Sequence, residues 1–228
     1  MAERMLKTVF DWEHFAVYLS GPMDFADDGG KGWREDWTER LIGIGMNPKQ
    51  IYNPCKKPFH NDQFDLDDEH AIGQECRAEG DWERFYDVMG QIMHIDLRLV
   101  DKADIILVNM PKIGWDNEYV ENIKSHYDKL KKDEGLGMAV HKLMYAYSES
   151  QVPTYGTIHE IVVASLQRKP IFLVWEGDGL KGCSAWLMRL VGYKNVFLHV
   201  DTMISHLAAI SQGKQAFDAN EWLLIEPK

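Results

Sequence analysis

The sequence predicts an α/β protein, an open parallel sheet of about five strands with helices on both faces. Two observations carry that prediction. Short apolar, β-prone runs recur along the chain, and between them the apolar residues fall three and four positions apart, the period of a helix packed by one side. The run ADIILVNM at 103–110 is also apolar without alternation, as a strand covered on both faces must be.

Taken in order, FAVYL at 15–19 reads as the first strand and runs into the loop SGPM. Trp33, Trp37, Leu41 and Ile44 mark a helix, with Arg34, Glu35, Glu39 and Arg40 on its other faces and Gly43 and Gly45 at its end. IYNP at 51–54 is a second strand, closed by a proline that a sheet interior excludes. Residues 56–80 are rich in Asp, Glu, His and Gln with little periodicity, which predicts an exposed insertion. From Trp82 the helical period returns at Phe85, Val88, Met89, Ile92, Ile95, Leu99 and Val100, leading into the third strand. Residues 112–150 read as a helical insertion, with Val120, Ile123, Tyr127 and Leu130 spaced as one amphipathic helix. After Pro153, TIHEIVVASLQRK is a helix and PIFLVW a fourth strand. Residues 184–191 and NVFLHV give a further helix and strand, and 202–212 a last helix. The whole reads as one domain, flavodoxin-like or Rossmann-like, with insertions around 56–80 and 112–150. Ligands of such sheets sit beyond the carboxyl ends of the strands. The loops at SGPM, at NMPK and before TIHE are therefore the places to look.

Composition narrows the partners. With 25 Lys+Arg against 36 Asp+Glu the formal charge is −11, a field that repels polymeric nucleic acid and anionic membranes. A small phosphorylated molecule stays compatible, because a helix N-terminus holds one phosphate whatever the net charge. Cys55, Cys76 and Cys183 are odd in number and far apart, which fits neither a disulfide framework nor a zinc site and points to a reducing cytoplasm. No apolar run suits a signal core or a membrane span, so a soluble protein without a membrane partner is expected. His60, Asp62, Asp65, Asp67, Asp68 and His70 crowd one loop, but their spacing does not reproduce a calcium-binding hand. Neither a metal nor a cofactor is expected.

Three places carry residues suited to chemistry. The loop SGPMDFADDGGKGWRE sets Gly21, Gly29, Gly30 and Gly32 before a helix that contains Arg34, an arrangement able to bring amides and a guanidinium onto an anion. It matches no nucleotide-binding glycine signature, and a plain glycine turn explains it as well. Asp96 lies on the helix before the third strand, where Asp101 and Asp104 are equal candidates and a solvated acid is the ordinary outcome. Glu160 stands in the first turns of a helix at the active edge of the sheet, where an acid complements the helix dipole even without a catalytic task. His159, about 100° around the helix, faces elsewhere.

Together VYLSGPM, IDLRLVDKADIILVNM and YGTIHEIVVASLQRKPIFLVW resemble the nucleoside 2-deoxyribosyltransferase family and its nucleotide N-hydrolase relatives. The resemblance covers about half of the chain and rests on order and spacing, including the nine-residue interval from Glu160 to Lys169. GLGMA at 135–139 imitates the family's glycine-led helix but has Ala139 where the acid belongs. The resemblance implies that Glu160 is the nucleophile on the sugar's anomeric carbon, that Tyr18 orients its carboxylate, and that Asp96 is the acid near the leaving base. It further implies that Gly21, Met23 and Gly156 line the substrate site. Six residues before the nucleophile this chain has Thr154, where transferases acting on free nucleosides carry an acid. The nucleotide hydrolases have a small hydroxyl residue there and bring a serine from a neighbouring subunit, for which Ser184 is the best match. A 5′-monophosphate held by Thr154, Ser184 and Arg34 in a homo-oligomer is the resulting expectation. A non-catalytic nucleotide-binding module and a flavin-binding electron carrier remain rivals, because one sheet order hosts many functions.

Overall fold

The computed structural model describes residues 12–23, 28–56, 69–110, 155–175, 180 and 183–215, with isolated positions between 127 and 140. The chain divides into two compact units, one made of Met1–Met110 with Tyr155–Lys228 and the other of Pro111–Thr154. In the second, positions 127, 129, 131–133, 137, 138 and 140 are helical, with Gly135 at φ 89° between the two stretches. Val120, Ile123 and Leu130 lie outside the described residues, as do Thr154 and the acidic loop at 60–68.

The first unit is built on five parallel strands: β1 (Val17–Ser20), β2 (Ile51–Tyr52), β3 (Ile105–Met110), β4 (Ile171–Trp175) and β5 (Val196–Phe197). Their order is β2-β1-β3-β4-β5, the doubly wound arrangement of flavodoxin-like sheets. Among the described residues five helices lie between them, α1 (Lys31–Gly43), α2 (Glu69–Glu79), α3 (Trp82–Lys102), α4 (Tyr155–Leu166) and α5 (Ala185–Val191), and α6 (Val200–Ser211) follows the last strand. Strand alternation divides the core into two layers. Val17, Leu19, Ile105, Leu107, Phe172 and Val174 face α1 and α6, meeting Trp37, Leu41, Met203 and Leu207. Tyr18, Ile106, Val108, Ile171 and Leu173 face α3, α4 and α5, meeting Leu99, Ile161, Ala164 and Leu187. The chain runs from β1 outward to β2 and then crosses to β3 on the other side of β1. The carboxyl ends of β1 and β3 are thus the switch point where a crevice opens.

Three elements depart from the sequence expectation. The segment expected to be an exposed insertion contains α2, whose buried side is made of Gly73 and Cys76 rather than large apolar residues. NVFLHV pairs only over Val196–Phe197, because Leu198 is exposed and His199 already caps α6. The TIHE helix starts earlier, at Tyr155, and ends at Leu166, where Arg168 takes a left-handed φ of 54° that no helix continues.

Past that turn, Lys169 reaches across the layer. Its ammonium donates to Val100 O at 2.6 Å and to Asp101 O at 2.5 Å, satisfying carbonyls that the last turn of α3 leaves without helical partners. Burial lowers the Lys169 pKa from its ordinary value, with Asp101 and Asp104 opposing. One side chain therefore fastens the end of α4 to the end of α3, the two helices that carry the candidate acids. Among the described residues no helix is long and apolar enough to cross a membrane. Cys55, Cys76 and Cys183 form no disulfide with one another.

Candidate functional site

At the carboxyl end of β1 the alternation that points Val17 and Leu19 to one layer points Tyr18 and Ser20 to the other, toward α4. On α4 the buried stripe is Thr157, Glu160, Ile161 and Ala164 at helical spacing, so Glu160 occupies a core position that an apolar residue would ordinarily hold. The two meet. Tyr18 Oη donates to Glu160 Oε1 at 2.6 Å and Ser20 Oγ donates to Glu160 Oε2 at 2.5 Å, both bonds buried. Each carboxylate oxygen is held by one hydroxyl, which fixes the plane of the group.

Asp96 belongs to the same layer. Val88, Ile92, Asp96, Leu99 and Val100 form the buried stripe of α3, and Asp96 is only 9% exposed. Asp101 is exposed, and Asp104 accepts the Ala16 backbone N–H at 2.8 Å and serves the sheet. Among the three acids once equal on sequence grounds, the structure brings Asp96 to Glu160.

Electrostatics set the carboxylate's state. Burial, and then the negative field of Asp96, push the Glu160 pKa up to about 7, while the donors on Ser20 and Tyr18 and the charge of Arg34 pull it down. A carboxyl at about 7 is ionised in a large fraction of molecules near neutrality, yet little stabilised by solvent. Tyr18 is held well above its ordinary value, first by burial and then by the Glu160 charge, so it remains a neutral donor. His159 is exposed, about 100° around α4 from Glu160.

The glycine loop has a different role from the one expected. Arg34 is 1% exposed, and its guanidinium donates to the backbone carbonyls of Leu19 (3.3 Å), Gly30 (2.8 Å) and Gly21 (2.8 Å), with a longer bond to Pro22 O (3.4 Å). It lies 4.3 Å from the Trp33 ring centroid, stacked against the indole. The expected anion contact is thus corrected: the fork is consumed in folding the β1–α1 loop over itself. Amides expected to face an anion are likewise taken by Asp28, which accepts from Gly32 N at 2.6 Å and Gly30 N at 2.8 Å. Those bonds, the Gly32 one first, lower the Asp28 pKa below its ordinary value.

The remaining candidates fall around this cluster. Gly21 follows Ser20 directly and is buried; a Cβ there would stand 2.5 Å from the Trp33 ring and 3.1 Å from Asn109 O. Gly21→Ala should displace Trp33 from Arg34 and cost about 1–3 kcal/mol, read as a lower urea midpoint with altered tryptophan fluorescence. An unchanged midpoint would show that the loop has slack there. Gly156 lies one turn before Glu160 on α4, and among the described residues a Cβ at that position would meet nothing within 4 Å. Met23 is half-buried in the loop. Ser184 is exposed at the N-cap of α5, and its side chain makes no capping bond. Neither is bonded to the Glu160 cluster. Ser20 is the member that sequence reasoning did not single out, although its place two residues beyond Tyr18 puts it on the same strand face.

Among the described residues no group of three or more His, Cys, Asp or Glu side chains is placed to hold a metal ion. The chain matches no family model and no curated relative.

Proposed function

We propose that the protein cleaves the N-glycosidic bond of a 2′-deoxyribonucleoside or its 5′-monophosphate, with Glu160 as the nucleophile that forms a covalent deoxyribosyl ester. The observation that carries this reading is one buried carboxylate at the switch-point edge of the sheet, with each oxygen held by a hydroxyl and a second acid within electrostatic reach. Retaining sugar transfer needs such a pair. One carboxylate must attack the anomeric carbon, and one acid must supply a proton as the base departs. Glu160 suits the first role because Tyr18 and Ser20 favour its ionised form, and Asp96 takes the second. The sequence motifs that resemble the deoxyribosyltransferase family imply these roles for Glu160, Tyr18 and Asp96, and none for Ser20.

The step balances without a cofactor. Glu160 oxygen bonds to the anomeric carbon, the carbon–nitrogen bond breaks, and its electron pair leaves with the base, which gains the proton from Asp96. An acceptor base or water then reverses the chemistry. Ser184, exposed and with a side chain that makes no capping bond, is the residue that the motif resemblance would set on a 5′-phosphate in a neighbouring subunit.

Incubation with deoxynucleosides and their 5′-monophosphates, with and without an acceptor base, followed by chromatography, tests the proposal. Free base without acceptor identifies a hydrolase, and a new nucleoside only with acceptor identifies a transferase. Because the nucleophile must be ionised, kcat/KM should fall about tenfold per pH unit below a pKa of about 7. A rate flat from pH 5 to 8 would remove Glu160 from the role.

A further inference from the structure

Ser20 is assigned no role by the sequence motifs, yet its hydroxyl donates to Glu160 Oε2 at 2.5 Å, the oxygen that Tyr18 leaves free of its own bond. We propose that Ser20 is a positioning residue that governs the second half of the reaction, stabilising the carboxylate as it is released from the sugar. The inference rests on the covalent reading above. Ser20 is fully buried at the last position of β1, and the paired backbone of β1 and β3 holds it in register with Val108. Its donor is therefore aimed before substrate arrives, the condition under which a hydrogen bond contributes most to a charged state.

The direction of its effect follows from where charge appears. In the first half the Glu160 anion loses charge as the carbon–oxygen bond forms, so a donor on it favours the starting state. In the second half the carbon–oxygen bond breaks and its electron pair returns to the carboxylate. Water or an acceptor base bonds to the anomeric carbon, and the proton it sheds passes to the group that gave one up in the first half. A donor on the returning charge binds the transition state more tightly than the neutral ester. Tyr18 and Ser20 act on different oxygens, so whichever oxygen carries the sugar, one hydroxyl remains on the carbonyl oxygen. Loss of Ser20 should leave ester formation at high pH unchanged or faster while slowing ester breakdown.

The test compares the full-length wild type with Ser20→Ala, which removes one oxygen and adds no bulk, and with Ser20→Thr, which keeps the hydroxyl. Without substrate, the Glu160 carboxyl is titrated by carbon NMR. Ser20→Ala should raise its midpoint by about one pH unit, the equivalent of one charge-assisted hydrogen bond, and Ser20→Thr should restore it. With a deoxynucleoside or its monophosphate, rapid quench and mass spectrometry should show the ester breaking down about tenfold more slowly in Ser20→Ala, so that it accumulates. An unchanged Glu160 midpoint in Ser20→Ala, or formation and breakdown slowed alike, overturns the proposal. A wild type that forms no ester with either substrate overturns the covalent reading itself, and the substrate-free titration then shows separately whether Ser20 acts on Glu160.

Discussion

Glu160→Gln should lose at least about a thousandfold in kcat, some 4 kcal/mol of barrier, while gaining stability at alkaline pH. The loss follows from removing the nucleophile. Its amide still fits the site, since its oxygen accepts from Tyr18 and its nitrogen donates to Ser20, so the fold has no reason to fail. The gain follows from the sign of the pKa shift. The folded pKa, about 7, lies above the ordinary 4.5, so the folded protein binds the Glu160 proton more tightly than the unfolded chain. Stability from that proton is fully present below pH 4.5 and is lost as the pH rises through about 7. At pH 8 the wild type therefore carries the cost of an ionised buried carboxyl, about 3 kcal/mol, and the amide does not. Urea titrations at pH 8 and pH 5 check this. A variant less stable than wild type at both values would mean that the carboxylate holds the fold together, and its inactivity would then say little about chemistry.

Arg34→Met should destabilise the protein by about 3 kcal/mol or more, because the carbonyls of Leu19, Gly21 and Gly30 lose their donors inside the protein. Arg34→Lys should recover little. An ammonium is a compact point charge and cannot present the planar fork that reaches several carbonyls at once. Arg34→Met also removes a cation that lowers the Glu160 pKa, so any residual activity should show its acid limb at higher pH. Denaturation midpoints equal to wild type would show that the loop closes without the guanidinium.

These two residues mark the limits of what the sequence reveals. Glu160 and Asp96 were singled out through the motif resemblance; the signal in the chain itself, an acid in phase with a helical stripe of core residues, went unread. The same phase would have separated Asp96 from Asp101 and Asp104, which the sequence reading left equal. The sheet was legible because buried parallel strands are apolar throughout. Arg34 was misread because a buried arginine and a ligand-facing one look alike when their partners are backbone carbonyls, which carry no sequence signal. Asp28 hid for the same reason, its partners being amides. The helix α2 escaped notice because Gly73 and Cys76, not large apolar side chains, fill its buried side. Ser20 was readable in principle from strand alternation, but its importance depends on a contact 140 residues distant in the chain.

The most direct test of the central claim is to quench the wild-type protein during turnover of a deoxynucleoside or its 5′-monophosphate, digest it, and locate any sugar-bearing peptide by mass spectrometry. The account predicts a deoxyribosyl ester on the peptide containing Glu160, absent from Glu160→Gln. Base release with no modified peptide, or with the sugar on another residue, would contradict it.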